Sequence, residues 1–145
     1  MNFVAKNFQE LSLAELYEIL AVRSHIFIME QNMHCQDIDG TDPVARHLYL
    51  EENGKIVAYL RAYYADEEKE TVRIGRVLTI THGIGLGAEV MKKAMEDIKR
   101  NMNCKRICLD SQKLAIGFYE KLGFQIVSDE FLEEGILHVK MQRAL

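Results

Sequence analysis

The chain is poor in the features that mark several protein classes. It has three cysteines, Cys35, Cys104 and Cys108. An odd count without a paired framework excludes a disulfide scaffold and favours reduced thiols in a cytosolic compartment. No apolar run approaches the ~18–20 residues of a membrane helix. The opening Met1-Asn2-Phe3-Val4-Ala5-Lys6 lacks a basic segment followed by an apolar block, so no signal peptide is expected. Pro43 is the only proline, and no repeat, low-complexity tract or linker divides the sequence. The net charge of −4 argues against generic nucleic-acid binding. What remains is an ordinary globular mix, 48% apolar and 28% charged over 145 residues, enough for one cytoplasmic domain spanning residues 1–145 around a single core.

The charge is unevenly spread. Residues 1–81 carry 8 Lys/Arg against 13 Asp/Glu, residues 82–121 carry 8 against 5, and residues 122–145 carry 2 against 4. An anionic ligand is expected on the one basic segment, and the acidic front half favours a cationic or amine partner. Solvated helix lysines account equally well for the pattern taken alone.

Residues 3–8 read as a short strand. Ser12 and Glu15 then form a capping box, and Leu11 against Leu16 a hydrophobic staple, at the start of a helix running to about Glu30. The polar stretch Gln31–Pro43 reads as a loop long enough to be functional. Strands follow at His47–Leu50 and Ile56–Tyr64 about an Asn53-Gly54 turn, then at Val72–Ile80 after an acidic hairpin tip. Beyond them the order is a helix from about Gly85 to Asn101, strand Arg106–Leu109, a helix from about Gln112 to Leu122, strand Gln125–Val127 and strand Ile136–Met141. Ser111 is the expected N-cap of the third helix, and Gly123 its C′ residue with Phe124 packing back. Hairpins in the first half and strand–helix alternation in the second imply a mixed α/β sheet with helices on both faces.

Two segments carry the chemistry. His82-Gly83-Ile84-Gly85-Leu86-Gly87 opens the second helix, and such a turn offers backbone N–H groups and a positive dipole end to an anion. It has neither the Lys-Ser/Thr of a P-loop nor the acidic residue that follows a dinucleotide-binding turn. Phe118-Tyr119-Glu120-Lys121-Leu122-Gly123-Phe124 forms the end of the third helix. There Tyr119 is either a satisfied core aromatic or a proton donor. Asp37, Asp39 and Asp42, beside His34 and Cys35, invite a metal reading that fails. Counted from Asp37, an EF-hand would need Gly at 42 and Glu at 48, where Asp and Leu stand, and no second Cys/His pair has zinc spacing. No metal is expected; an Asx-turn or a polar pocket wall fits better. Cys104 and Cys108 read as inert thiols.

Taken jointly, these segments resemble the GCN5-related N-acetyltransferase (GNAT) superfamily. Its acetyl-CoA motif, Arg/Gln-x-x-Gly-x-Gly/Ala, falls on His82–Gly87, and its Phe/Leu-Tyr-x-x-x-Gly-Phe core falls on Phe118–Phe124. A finer resemblance, to the ElaA-type branch, rests on Phe27-Ile28-Met29-Glu30-Gln31, Asp37–Asp42, Arg46-His47, Ile74-Gly75-Arg76-Val77, Gln112 and Glu134–His138. The resemblance implies the GNAT fold, a mixed and mostly antiparallel sheet of about six or seven strands. Two departures stand out: His82 replaces the usual Arg/Gln, with less fixed charge, and the stretch from Arg76 to His82 is about two residues short.

The resemblance further implies acetyl-CoA as cosubstrate, its pyrophosphate on the amides of Gly83–Ala88, with His82, Leu86, Gln112 and Phe118 also at the cofactor. The pantetheine arm would lie between the strand ending near Ile80 and the one ending near Leu109. An N–H among Leu78, Thr79 and Ile80 would polarise the thioester carbonyl. An acceptor amine would attack directly, bounded by Gln31, Asp37, Asp39, His47, Arg76 and His138. An alkylamine of pKa ~10.4 is only about 1 in 2,500 neutral at pH 7, roughly 4.6 kcal/mol from the reactive form, so its proton must be removed by Glu30, His47 or water. Tyr119 would protonate the leaving thiolate, a transfer uphill by about 2 kcal/mol from ordinary pKa values. A non-catalytic acyl-CoA-binding or regulatory protein, and a transferase of longer acyl groups, are the alternatives. Exposed strand edges in this fold often pair, making a homodimer a candidate assembly.

Overall fold

Ser12 caps the first helix as expected. Its hydroxyl accepts from the Glu15 amide at 3.0 Å, and the Glu15 carboxylate accepts from the Ser12 amide at 2.8 Å. The computed structural model describes residues 1–33 and 35–145. Its strands are β1 (Asn2–Asn7), β2 (Arg46–Glu52), β3 (Lys55–Tyr64), β4 (Thr71–Thr79), β5 (Arg106–Gln112), β6 (Gln125–Ile126), β7 (Phe131–Glu133) and β8 (Ile136–Ala144). Its α-helices are α1 (Leu13–Arg23), α2 (Leu86–Asn101) and α3 (Ile116–Lys121). The eight strands form one sheet in the order β1-β2-β3-β4-β5-β8-β6, with β7 also on β8. Among the described residues only β4 and β5 pair in parallel, because α2 crosses over between them.

Both faces of the sheet are covered. Leu48, Leu50 and Leu60 turn to one side and pack with Val90, Met91, Ala94 and Ile98 of α2. Their neighbours Tyr49 and Tyr59 turn to the other and pack with Ile19, Ile26 and Phe27. The alternation is the period of two along each strand. Among the described residues, no helix is long and apolar enough to cross a membrane.

Several expectations need correction. The helix expected to reach Glu30 is α-helical only to Arg23 and continues as a π-helix over Ser24–Glu30, closed by the Gln31 amide on the Ile26 carbonyl at 3.0 Å. Ser111 is not a helix cap. It pairs with Val139 inside β5, and its hydroxyl bonds the Gln112 carbonyl, while α3 starts after a 3-10 turn over Lys113–Ala115. β7 was not expected, which brings the sheet to eight strands; three residues are too few for a legible alternation.

Candidate active site

The glycine loop builds an anion seat. Gly83 and Gly85 have φ of +80° and +82°, the left-handed region, and Gly85 is the N-cap of α2 without a capping side chain. The first helical bond runs from the Glu89 amide to the Gly85 carbonyl at 3.1 Å, so the amides of Leu86, Gly87 and Ala88 precede the intrahelical ladder. They line a pocket of about 470 Å³, together with Leu78, Thr79, His82 and Phe118. A Cβ at Gly87 would stand 3.2 Å from Phe118 Cζ, so only glycine lets the aromatic close over the helix start.

The sheet opens beside this seat. β4 and β5 pair only at Thr71–Arg73 with Arg106–Cys108, and beyond that they separate. In β4, Arg76 and Val77 together oppose the single residue Leu60, a bulge in which Arg76 takes φ +54°. The Ile80 amide bonds the Val57 carbonyl at 3.0 Å, so Ile80 is committed to β3. Antiparallel alternation then turns the Thr79 amide away from β3, toward the opening. The opening is a cleft of about 510 Å³ floored by Ile74, Leu109, Gln112, Tyr119 and His138. Gln31 and Val77 line both cavities, which therefore adjoin. The π-helix serves both as well, through Ile26 at the seat and Phe27 at the cleft.

Tyr119 is held from behind by the end of its own helix. Gly123, φ +91°, sends its amide to the Glu120 carbonyl at 3.0 Å, and Phe124 sends its amide to the Tyr119 carbonyl at 3.1 Å, a Schellman stop. The rings of Tyr119 and Phe124 meet edge to face at 6.0 Å, the hydrophobic contact of that motif. Tyr119 is 9% exposed, and burial pushes its phenol up to about 12.

One wall of the cleft is built of ion pairs. Arg23, fully buried, donates to Asp42 Oδ1 at 2.7 Å and to the Asp37 carbonyl at 2.8 Å. Arg61, also buried, holds both oxygens of Asp39, at 3.0 and 2.7 Å, and reaches Asp42 Oδ1 at 3.0 Å. Arg76 donates to Asp37 Oδ1 at 2.9 Å. Three arginines thus neutralise three aspartates and pin the long loop across the sheet. Asp39 also accepts the Thr41 amide at 3.0 Å, the Asx-turn expected there. Arg61 holds the Asp39 carboxyl far below the ordinary carboxylate range. Burial would raise Asp42, but Arg23 and Arg61 outweigh it, and its pKa falls too.

Of the residues singled out from sequence, Asp39, Arg76, Gln112, Tyr119 and His138 meet in the cleft, with Gln31 at its junction with the seat. Asp37 stands behind them on Arg23 and Arg76. Glu30 does not line either cavity; its exposed carboxylate lies 3.3 Å from His25 Nε2. His47 is fully buried; its Nδ1 accepts a hydrogen bond from the Tyr59 hydroxyl at 2.8 Å and its Nε2 donates to the Asp42 carbonyl at 3.0 Å. Desolvation lowers its pKa and keeps the ring neutral. His34 lies outside the described residues. Sequence reasoning missed Arg61, the Arg73–Asp110 pair and Glu133, and took Glu134 only as part of the branch resemblance; all lie on the cleft. Arg61 and Arg73, charges inside apolar strands, were the available signal.

A wedge-shaped opening between two parallel strands, beside a glycine-opened helix, defines a GNAT-type acyltransferase. Residues 23–145 match the family described as "Acetyltransferase (GNAT) domain", and the chain belongs to that family, in its ElaA-type branch. It is 38% identical to a UPF0039 protein of Schizosaccharomyces pombe over 100% of this chain and 98% of that one. It superposes on the crystal structure of Escherichia coli ElaA with a TM-score of 0.91 and 34% identity, covering 98% of each chain. An acyl-CoA N-acyltransferase from Pseudomonas aeruginosa follows with a TM-score of 0.89 and 32% identity, covering 99% of this chain and 100% of that one.

Proposed function

We propose that this protein is an N-acetyltransferase that moves an acetyl group from acetyl-CoA directly to an amine. One observation carries the reading. Consecutive residues of α3 serve adjoining cavities, Phe118 closing over Gly87 at the anion seat and Tyr119 standing in the cleft.

The residues present fit the cosubstrate. The amides of Leu86, Gly87 and Ala88 suit a pyrophosphate, and the stretches of β4 and β5 that do not pair with each other suit an extended amide-bearing arm. When bound, acetyl-CoA supplies an activated thioester. The Thr79 amide, facing the opening, would polarise its carbonyl; Ile80, already bonded to Val57, would not. Tyr119 would protonate the departing sulfur. From about 12 to a thiol near ~8.5 that step is uphill by roughly 5 kcal/mol, more than ordinary phenol acidity implies. The same desolvation raises the proton affinity of a thiolate in the cleft and narrows the gap. A cytoplasmic location and a homodimer complete the reading.

Calorimetric titration with acetyl-CoA, followed by thiol release across an amine panel, tests it. Binding with release from at least one amine supports the transferase. Binding without release supports the acyl-CoA-binding alternative, and no binding overturns both. Acyl-chain length is varied in the same assay.

A further inference from the structure

The geometry points to His138 Nε2 as the base that takes the proton from the acceptor amine, an inference that rests on the transferase reading above. His138 is 5% exposed, on β8 where it pairs with Gln112 of β5, and it lines the same cleft as Tyr119. Its Nδ1 lies 2.8 Å from the Ile136 carbonyl oxygen. A carbonyl can only accept, so Nδ1 carries the hydrogen, and the neutral ring holds its free lone pair on Nε2. Phe131 fixes the ring plane, stacked at 6.0 Å and 22°. Glu133 Oε2 stands 3.8 Å from Nε2, placed to pair with the ring once it is charged.

Among the described residues, the other candidates are less suited. Both nitrogens of His47 are hydrogen-bonded, and its ring is fully buried. Glu30 lies off the cleft beside His25. Asp39 is held at both oxygens by Arg61, and Asp110 is paired with Arg73. Glu133 and Glu134 reach the cleft from the β7–β8 turn, but a carboxylate is a weaker base than an imidazole by about two pK units. The charged and titratable groups that share the cleft with His138 are Glu133 and Glu134 on its turn, the Asp110–Arg73 pair on β5 and β4, Tyr119 on α3, Arg61, Tyr63 and Arg76 on β3 and β4, and Cys35 and Asp39 of the long loop.

The proton count closes. His138 takes one proton from the ammonium, and the freed nitrogen pair forms the C–N bond. The C–S bond breaks, and sulfur leaves with its electron pair and takes the Tyr119 proton. The second proton lost by nitrogen restores Tyr119 through solvent, and His138 sheds its own to water. One ammonium and one thioester give one amide, one thiol and one released proton.

The test has an arm that does not need turnover. Nitrogen-15 NMR of histidine-labelled protein should show His138 as the Nδ1–H tautomer with a bare Nε2; an Nε2–H tautomer overturns the assignment. In kinetics, H138Q should bind acetyl-CoA as the wild type does while kcat/KM for the amine falls about 10²–10³-fold and its acid limb disappears. Activity within threefold of wild type, or a surviving acid limb, overturns the base alone. Wild-type protein that binds acetyl-CoA but acylates no amine overturns the transferase reading, and the base with it.

Discussion

Phe118 Cζ sits 3.2 Å from the place a Gly87 Cβ would occupy, so the two sequence motifs that mark this family touch. A methyl group there must displace the Phe118 ring. That ring is 36% exposed and can move, so we expect Gly87→Ala to change stability by less than about 1 kcal/mol, helix propensity offsetting crowding. Acetyl-CoA affinity should fall about tenfold, because the displaced ring enters the seat. Chemical denaturation and calorimetry measured on one preparation separate the two effects.

Tyr119→Phe should lower kcat about 10²-fold and leave acetyl-CoA binding intact. Because burial pushes the phenol up to about 12, it stays protonated through the physiological range. An alkaline limb below pH ~10 should therefore be the same in wild type and in an active phenol-retaining variant such as Gly87→Ala. An alkaline limb in that range that vanishes in Tyr119→Phe would assign it to the phenol and contradict this expectation.

The buried neutral His47 makes stability depend on pH. Its folded pKa is depressed by desolvation, so the unfolded chain binds more protons below the ordinary imidazole value of ~6.5. Its contribution is complete above that value and is lost as pH falls toward the folded pKa. Thermal midpoints should drop between pH 7 and 5 in wild type. In His47→Gln, whose amide can donate to the Asp42 carbonyl and accept from Tyr59, the drop should be shallower.

Arg76 combines a left-handed φ with a salt bridge to Asp37. Arg76→Ala and Arg76→Gly both remove the bridge, but glycine relieves the backbone. Arg76→Gly should be the more stable of the two by about 1 kcal/mol in urea unfolding. Equal stabilities would mean that the bulge carries no strain at this position.

Much of the fold was legible because local signals agreed with the tertiary result. Ser12 and Glu15 announce a helix start, Asn53-Gly54 a hairpin, and Gly123 with Phe124 a Schellman stop, each within a few residues. The same locality explains why Gly83, Gly85 and Tyr119 could be read from their motifs. What failed was set at long range. Ser111 has the chemistry of a cap, yet pairing with Val139 across β8 claims its backbone for a strand. The π-turn after Arg23 has no helix-breaking residue to signal it. It coincides with Arg23 reaching to Asp37 and Asp42, 14 and 19 residues on. Glu30 was attractive by position alone, and only the direction of its side chain removes it from the cleft.

The separation of β4 from β5 also divides labour along the chain. On the proposed function, the joint, with its glycine loop and Phe118, would meet the thioester carrier. Beyond the sheet and the helices, the cleft is walled from two distant parts of the chain, the pinned loop before β2 and the short turn between β7 and β8. A descendant could exchange the exposed turn between β7 and β8 readily, whereas a new loop before β2 would have to supply carboxylates to the buried Arg23 and Arg61.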